Sequence, residues 1–185
     1  MQKENAMSGI RFLMSTLIAL TVATVSSTTA ARAADVDASL RSEFDRVAQR
    51  RIFFGHQSVG NNLLDGVKQL ATMVGAPVNV VEVKAASAVG SAMIGHALIP
   101  ENGEPLKKLK SFEQAMGSNS TRLDIEFLKF CYVDFNAETN ATALFESYRS
   151  TLDALQAKNP GTTFVHVTAP LIVVQGGIKA KVKRL

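Results

Sequence analysis

Short apolar runs alternate with segments of helical spacing along most of this chain. Apolar runs bounded by glycine, proline or polar residues predict buried strands, and apolar residues at every third or fourth position predict helices. The predicted strands cover residues 51–54, 78–83, 123–130 and 162–168. The predicted helices cover residues 38–48, 59–73, 105–116 and 142–157.

The order of these elements predicts an α/β fold. A helix comes first, and four strands then alternate with helical segments, which is typical of a parallel sheet with right-handed crossovers and helices on both faces. Residues 85–102 contain Gly90, Gly95 and Pro100 and are predicted to form a loop. No further strand is predicted after residue 168, so we expect the final strand to be missing and the domain to be incomplete at its C-terminus.

The first 33 residues have the organisation of a secretory signal. A weakly basic start leads into the apolar run 12–20, and a stretch of small residues ends in Ala31-Arg32-Ala33, which fits an A-x-A cleavage site. A membrane anchor is the alternative, but the run is diluted by serine and threonine and is short for a spanning helix. We therefore expect a signal peptide over residues 1–33 and one domain over residues 34–185. The protein would be exported, periplasmic or secreted, with no stable membrane anchor after cleavage.

Composition and charge narrow the classes of function. The 185 residues are 46% hydrophobic and carry a formal charge of +4, with much of the basic surplus near the two ends. A nucleic-acid binder usually clusters basic residues on one face with aromatic residues between them. The middle of the chain has no such cluster, so we expect no nucleic-acid partner.

Cysteine, histidine and glycine spacing argues against metal and cofactor sites. Cys131 is the only cysteine, so no intramolecular disulfide can form, and its apolar neighbours predict a buried, inert thiol. The three histidines are scattered rather than placed at ligand spacing. The sequence also lacks the glycine patterns of dinucleotide and nucleoside-triphosphate sites, so we expect no cofactor.

The candidate site lies where the first apolar run stops, at Gly55-His56-Gln57-Ser58. A strand, a tight turn and a helix are predicted to meet there, at the carboxyl end of a strand, where open α/β sheets bind their ligands. Ser58 is either a catalytic nucleophile or a helix N-cap. His56 either takes part in catalysis or supports the turn. His96 is a further candidate because it lies in the predicted loop, and loops above a sheet carry sites.

Two other polar residues stand close to predicted strands. His166 lies inside the fourth predicted strand between two valines, so we expect it to pack beneath a helix with its ring hydrogen-bonded internally. Asp134 follows the third predicted strand. It is a solvated loop acid, an N-cap, or an acid that orients a histidine.

Three segments of the chain resemble a group of exported bacterial proteins related to the SGNH/GDSL hydrolases. They are Phe54-Gly55-His56-Gln57-Ser58-Val59-Gly60, Leu128-Lys129-Phe130-Cys131-Tyr132-Val133-Asp134 and Phe164-Val165-His166-Val167-Thr168-Ala169-Pro170-Leu171. The resemblance extends from Arg51 to Leu185. It implies a three-layer α/β/α flavodoxin-like fold and a serine esterase.

The resemblance also implies roles for individual residues. Ser58 matches the family's nucleophilic serine, and a glycine and an asparagine from later blocks help to bind the oxyanion in that family. The catalytic candidates are Ser58, His56 and His96. The oxyanion and substrate-binding candidates are Gly90 or Gly95, Asn102 and Asp134.

The chain departs from the family pattern in three places. Gly55-His56-Gln57-Ser58 replaces Gly-Asp-Ser, residues 131–134 replace Gly-x-Asn-Asp, and no Asp-x-x-His follows the fourth predicted strand. Three hypotheses therefore stand. The first is an exported serine hydrolase that cleaves an acyl or acetyl ester of a small molecule or a carbohydrate. The others are a non-catalytic carbohydrate-binding or cell-envelope protein on the same fold, and an inactive gene fragment.

Overall fold

A computed structural model describes residues 35–117 and 122–168 of the chain. The chain divides into two compact units, Met1–Glu43 and Phe44–Leu185. The predicted signal peptide lies outside the described residues. In the first unit, residues 35–43 are helical.

The second unit holds a parallel sheet and the helices that connect its strands. The strands are β1 (Arg51–His56), β2 (Val80–Glu82), β3 (Met93–Leu98), β4 (Ile125–Leu128) and β5 (Thr163–Phe164). The helices are α1 (35–47), which begins in the first unit, α2 (Ser58–Met73), α3 (Pro105–Met116) and α4 (Ala141–Lys158). Short 3-10 turns cover Ala86–Ala88 and Tyr132–Asp134.

The five strands are arranged in the order β2-β3-β1-β4-β5, and every neighbouring pair is parallel. The predicted three-layer α/β/α class is therefore confirmed. Apart from the short strand β2, the order β3-β1-β4-β5 is that of a flavodoxin-like sheet. The chain runs to one side of β1 after α2 and to the other side after α3. The topological switch point thus lies between the carboxyl ends of β1 and β4, where ligands of open α/β sheets bind.

The described residues contain five strands rather than the predicted four. β3 lies inside the segment that was predicted to be a loop, and it pairs with β1 from Arg51↔Met93 to His56↔Leu98. Gly95 and His96 interrupt its apolar sequence, which removed the pattern that predicts a strand. The predicted absence of a final strand concerns residues 169–185, which lie outside the described residues.

The sheet is apolar on both faces, as a parallel sheet covered by helices requires. Side chains alternate along β1, so Phe53 packs on the face covered by α3 and α4, together with Leu109, Phe112 and Leu152. Ile52 and Phe54 pack on the opposite face with Leu64 of α2 and Ile94.

The packing against α3 is close at Gly55. A Cβ atom added there would lie 2.7 Å from Phe112 and 2.9 Å from Ile99, so only glycine fits this position.

Among the described residues, no helix is both long enough and apolar enough to cross a lipid bilayer.

Candidate functional site

Ser58 is the first residue of α2 and follows β1 by two positions. It is exposed, and no group of the described residues is hydrogen-bonded to its side chain. Gln57, rather than Ser58, occupies the N-cap position, so the N-cap alternative for Ser58 is wrong. Its Oγ is therefore free at the carboxyl edge of the sheet, at the start of a helix. Among the amides of the first turn, that of Gly60 already donates to the carbonyl of Gln57.

His56 and His96 form a hydrogen-bonded pair beneath α2. Nε2 of His56 lies 3.0 Å from Nδ1 of His96, and the two rings are stacked with their centroids 5.0 Å apart. Nδ1 of His56 lies 2.8 Å from the carbonyl oxygen of Gln57. His96 belongs to β3 and is largely buried, so its predicted position in a loop is wrong.

The environment favours the neutral form of both histidines. Burial lowers the pKa of His56, and this outweighs the Gln57 carbonyl and the Glu82 carboxylate, which act in the opposite direction. Burial also lowers the pKa of His96, and the neighbouring His56 lowers it further. Phe54 contributes to the apolar setting, with its ring centroid 4.6 Å from that of His56.

The first turn of α2 rests directly on the ring of His56. A Cβ atom added to Gly60 would lie 2.2 Å from both Cγ and Nδ1 of that ring, so any larger residue would displace the helix or the histidine. The amide of Gly60 donates to the carbonyl of Gln57 at 2.6 Å, the same oxygen that His56 contacts. The Gln57 side chain in turn donates to the carbonyl of Ile99 at 2.7 Å. Three contacts therefore hold the turn before Ser58: those of Gly60 and His56 with the Gln57 carbonyl, and that of the Gln57 side chain with Ile99.

The two glycines proposed for the oxyanion site are not brought to Ser58. Gly90 precedes Met93, which pairs with Arg51 at the start of β1. At about 3.3 Å per residue, the six residues of β1 separate this amino edge from the carboxyl edge by about 20 Å. Gly95 lies in the middle of β3 and packs against Val89, at 2.6 Å from an added Cβ. The assignments of Gly90 and Gly95 to the oxyanion site are therefore wrong.

Asn102 and Asp134 are linked because both accept hydrogen bonds from the side chain of Lys108. The buried ammonium group of Lys108 donates to Oδ2 of Asp134 at 2.5 Å and to Oδ1 of Asn102 at 3.0 Å. Asp134 also accepts the amides of Gly103 at 2.9 Å and Cys131 at 2.6 Å. Asp134 is thus neither solvated nor bonded to a histidine. It holds together the loops that follow β3 and β4.

His166 lies two residues beyond β5, so its predicted place inside a strand is wrong. Its side chain is exposed rather than buried, but the predicted internal hydrogen bond exists, between Nδ1 and the hydroxyl of Tyr148 at 3.1 Å. The prediction of a buried thiol at Cys131 is confirmed.

A cavity of about 390 Å³ opens beside Tyr148 and His166. Its walls are mainly aromatic and aliphatic and include Phe130, Phe135 and Leu144. This volume lies in the range of small-molecule pockets, which are predominantly apolar with a few polar groups.

Glu126 is a titratable group that the sequence reasoning missed. It lies on β4, fully buried, and neither carboxylate oxygen has a hydrogen-bond partner. Burial raises the pKa of Glu126 to about 8. Its strand neighbours are Phe53 on β1 and Phe164 on β5. The only signal in the sequence was an acidic residue within an otherwise apolar strand.

Comparison with known proteins adds no assignment. No protein-family model, no curated protein and no solved structure matches the chain.

Proposed function

We propose that this chain is an exported serine hydrolase that cleaves an ester, with an acyl or acetyl group on a carbohydrate as the substrate class. One observation carries the proposal. Ser58 is exposed, has no hydrogen-bond partner among the described residues, and begins a 16-residue helix at the carboxyl end of the central strand. Export rests on the predicted signal peptide.

In the proposed reaction, Oγ of Ser58 attacks the carbonyl carbon of the ester. The bond to the alkoxy oxygen breaks, and the alcohol leaves with a proton, so that the acyl group stays on Ser58. Water then attacks the acyl group, releases the acid and restores the hydroxyl of Ser58. The amides of Ser58 and Val59 and the positive end of the α2 dipole stabilise the oxyanion. One such donor contributes about 3 to 4 kcal/mol to transition-state stabilisation.

The nucleophile also needs a group that accepts its proton. Both ring nitrogens of His56 are engaged, one with Gln57 and one with His96. Within the described residues, Nε2 of His96 has no hydrogen-bond partner. Among the described residues, no hydrogen bond joins that nitrogen to Ser58, so we assign His56 to support of the turn and assign no general base to His96.

The test combines turnover with covalent labelling. The full chain should hydrolyse p-nitrophenyl acetate and react with a fluorophosphonate probe at Ser58. Ser58→Ala should reduce both to background, because the attacking oxygen is gone. Ser150→Ala is the matched control, since Ser150 is another exposed helical serine, and it should retain both activities. Equal turnover by Ser58→Ala and the wild type would overturn the proposal.

A binding function without hydrolysis is the second candidate. It is favoured by one observation: within the described residues, no histidine is hydrogen-bonded to Ser58. Absence of labelling, together with saturable binding of an acetylated oligosaccharide, would support this candidate instead. Fold alone does not distinguish the two, because one fold hosts many functions.

A further inference from the structure

The hydrogen bonds around His56 determine where the hydrogens of the two buried imidazoles lie. The carbonyl oxygen of Gln57 can only accept a hydrogen bond, so Nδ1 of His56, 2.8 Å away, must carry a hydrogen. A neutral imidazole has one N–H group, so Nε2 of His56 is an acceptor. The group 3.0 Å from it, Nδ1 of His96, must then be the donor.

We propose that His96 and His56 are positioning residues for Ser58: two neutral imidazoles, each with its hydrogen on Nδ1, form a relay that holds the carbonyl group of Gln57. The link to Ser58 rests on the proposed function, whereas the relay itself does not. The held carbonyl belongs to the N-cap residue of α2 and also accepts the amide of Gly60. The relay therefore sets the start of the helix on which Ser58 is the first residue.

The contacts around the pair leave little room for another arrangement. Gly60 seals the His56 ring from the helix side, with an added Cβ only 2.2 Å away. The ring of Phe54 is tilted against that of His56, and Phe54 is paired with His96 across β1 and β3. If His56 turned its ring over, it would face the Gln57 carbonyl with carbon instead of nitrogen and would lose that hydrogen bond.

The relay also has a defined response to acid. A first proton on Nε2 of His96 leaves the bond between the rings intact, because Nδ1 of His96 remains the donor. A second proton, on Nε2 of His56, would place two N–H groups against each other and break it. The charged groups that act on the pair are Glu82 of β2, Lys129 after β4, and Asp65 and Lys68 of α2.

Long-range ¹H–¹⁵N correlation spectra of the ¹⁵N-labelled full chain test the relay directly. At pH 8, both His56 and His96 should show the Nδ1–H tautomer. On acidification, Nε2 of His96 should be the first nitrogen of the pair to gain a proton. An Nε2–H tautomer on either residue at pH 8 would overturn the relay, whether or not the protein has esterase activity.

The positioning of Ser58 is tested with two substitutions of one residue. His96→Ala removes the donor and should slow fluorophosphonate labelling of Ser58 about fivefold, the effect of one hydrogen bond. His96→Asn can donate from its amide at the position of Nδ1 and should restore the rate to within about twofold of the wild type. Leu63→Ala, an exposed change on the same helix, should leave the rate unchanged.

The two proposals fail in different ways. If wild-type Ser58 is not labelled, the proposed function fails, and the amide resonances of Ser58 and Gly60 replace the rate as the readout. Those resonances should shift in His96→Ala and return toward their wild-type positions in His96→Asn. Unshifted resonances in His96→Ala would overturn the positioning role, as would an unchanged labelling rate in a protein whose Ser58 is labelled.

Discussion

Asp134 and Glu126 are both buried acidic side chains, but their surroundings are opposite. Asp134 accepts hydrogen bonds from Lys108, Gly103 and Cys131, so the charge is balanced and the oxygens are satisfied. Glu126 has no partner and lies between Phe53 and Phe164 in neighbouring strands. Burial alone therefore does not define the protonation state of an acidic side chain. An unpartnered carboxyl stays protonated, whereas a paired one can connect two loops.

The largest expected effect comes from making Asp134 resemble Glu126. Lys108→Met keeps an unbranched side chain but removes the ammonium group, which leaves a buried carboxylate without its cation. Breaking a buried ion pair in this way costs about 3 to 5 kcal/mol, so we expect the free energy of unfolding in urea to fall by about that amount. Asp134→Asn in the Lys108→Met background should recover part of the loss. Additive effects of the two changes would show that the pair is not coupled.

The second prediction removes the charge from Glu126. The folded-state pKa of about 8 lies above the ordinary value of 4.5, so the folded protein binds the proton more tightly than the unfolded chain. The stabilising contribution of the protonated group is fully present below pH 4.5 and is lost as the pH rises through 8. Glu126→Gln has no such loss, and its stability relative to the wild type should increase by about 3 kcal/mol between pH 5 and pH 8.

Urea denaturation of both proteins at the two pH values measures this difference. Glu138→Gln changes an exposed loop acid and serves as the matched control, since its stability relative to the wild type should not depend on pH in this way. A constant difference between Glu126→Gln and the wild type from pH 5 to pH 8 would mean that Glu126 ionises freely in the folded protein.

The smallest expected effect concerns Asn102. Asn102→Ala removes one acceptor of the Lys108 ammonium but leaves the ion pair with Asp134 in place. We expect a loss of about 1 kcal/mol in the free energy of unfolding, the contribution of one hydrogen bond. A loss as large as that of Lys108→Met would indicate that the amide, rather than the carboxylate, holds the lysine.

The sequence predicted the elements whose pattern is local. β1 is an apolar run that stops at a glycine, and α3 begins at Pro105 as a proline at the first turn predicts. β3 was missed because Gly95 and His96 break its pattern, although the strand lies inside the sheet. Burial of Glu126 was missed because alternation along β4 predicts a half-exposed strand, whereas helices cover both faces.

The candidate site was predicted only where the residues are neighbours in sequence. Ser58 and His56 were found from one short segment. The pairing of His56 with His96 joins residues 40 positions apart, and that of Lys108 with Asp134 joins residues 26 positions apart. Such contacts depend on the order of the strands and on loop geometry, which spacing along the chain does not define.

Gly55 and Gly60 determine what can be inferred when the segment from Gly55 to Gly60 is found in another chain. Both are required because a side chain would collide, with Phe112 at the first and with His56 at the second. Ser58, by contrast, faces solvent and satisfies no packing requirement. If the string Gly-His-Gln-Ser-Val-Gly is found in another chain, its glycines are therefore evidence of a common backbone arrangement. Evidence of common chemistry comes from the serine alone, and a chain that keeps the glycines but replaces the serine should be classed by fold and not by activity.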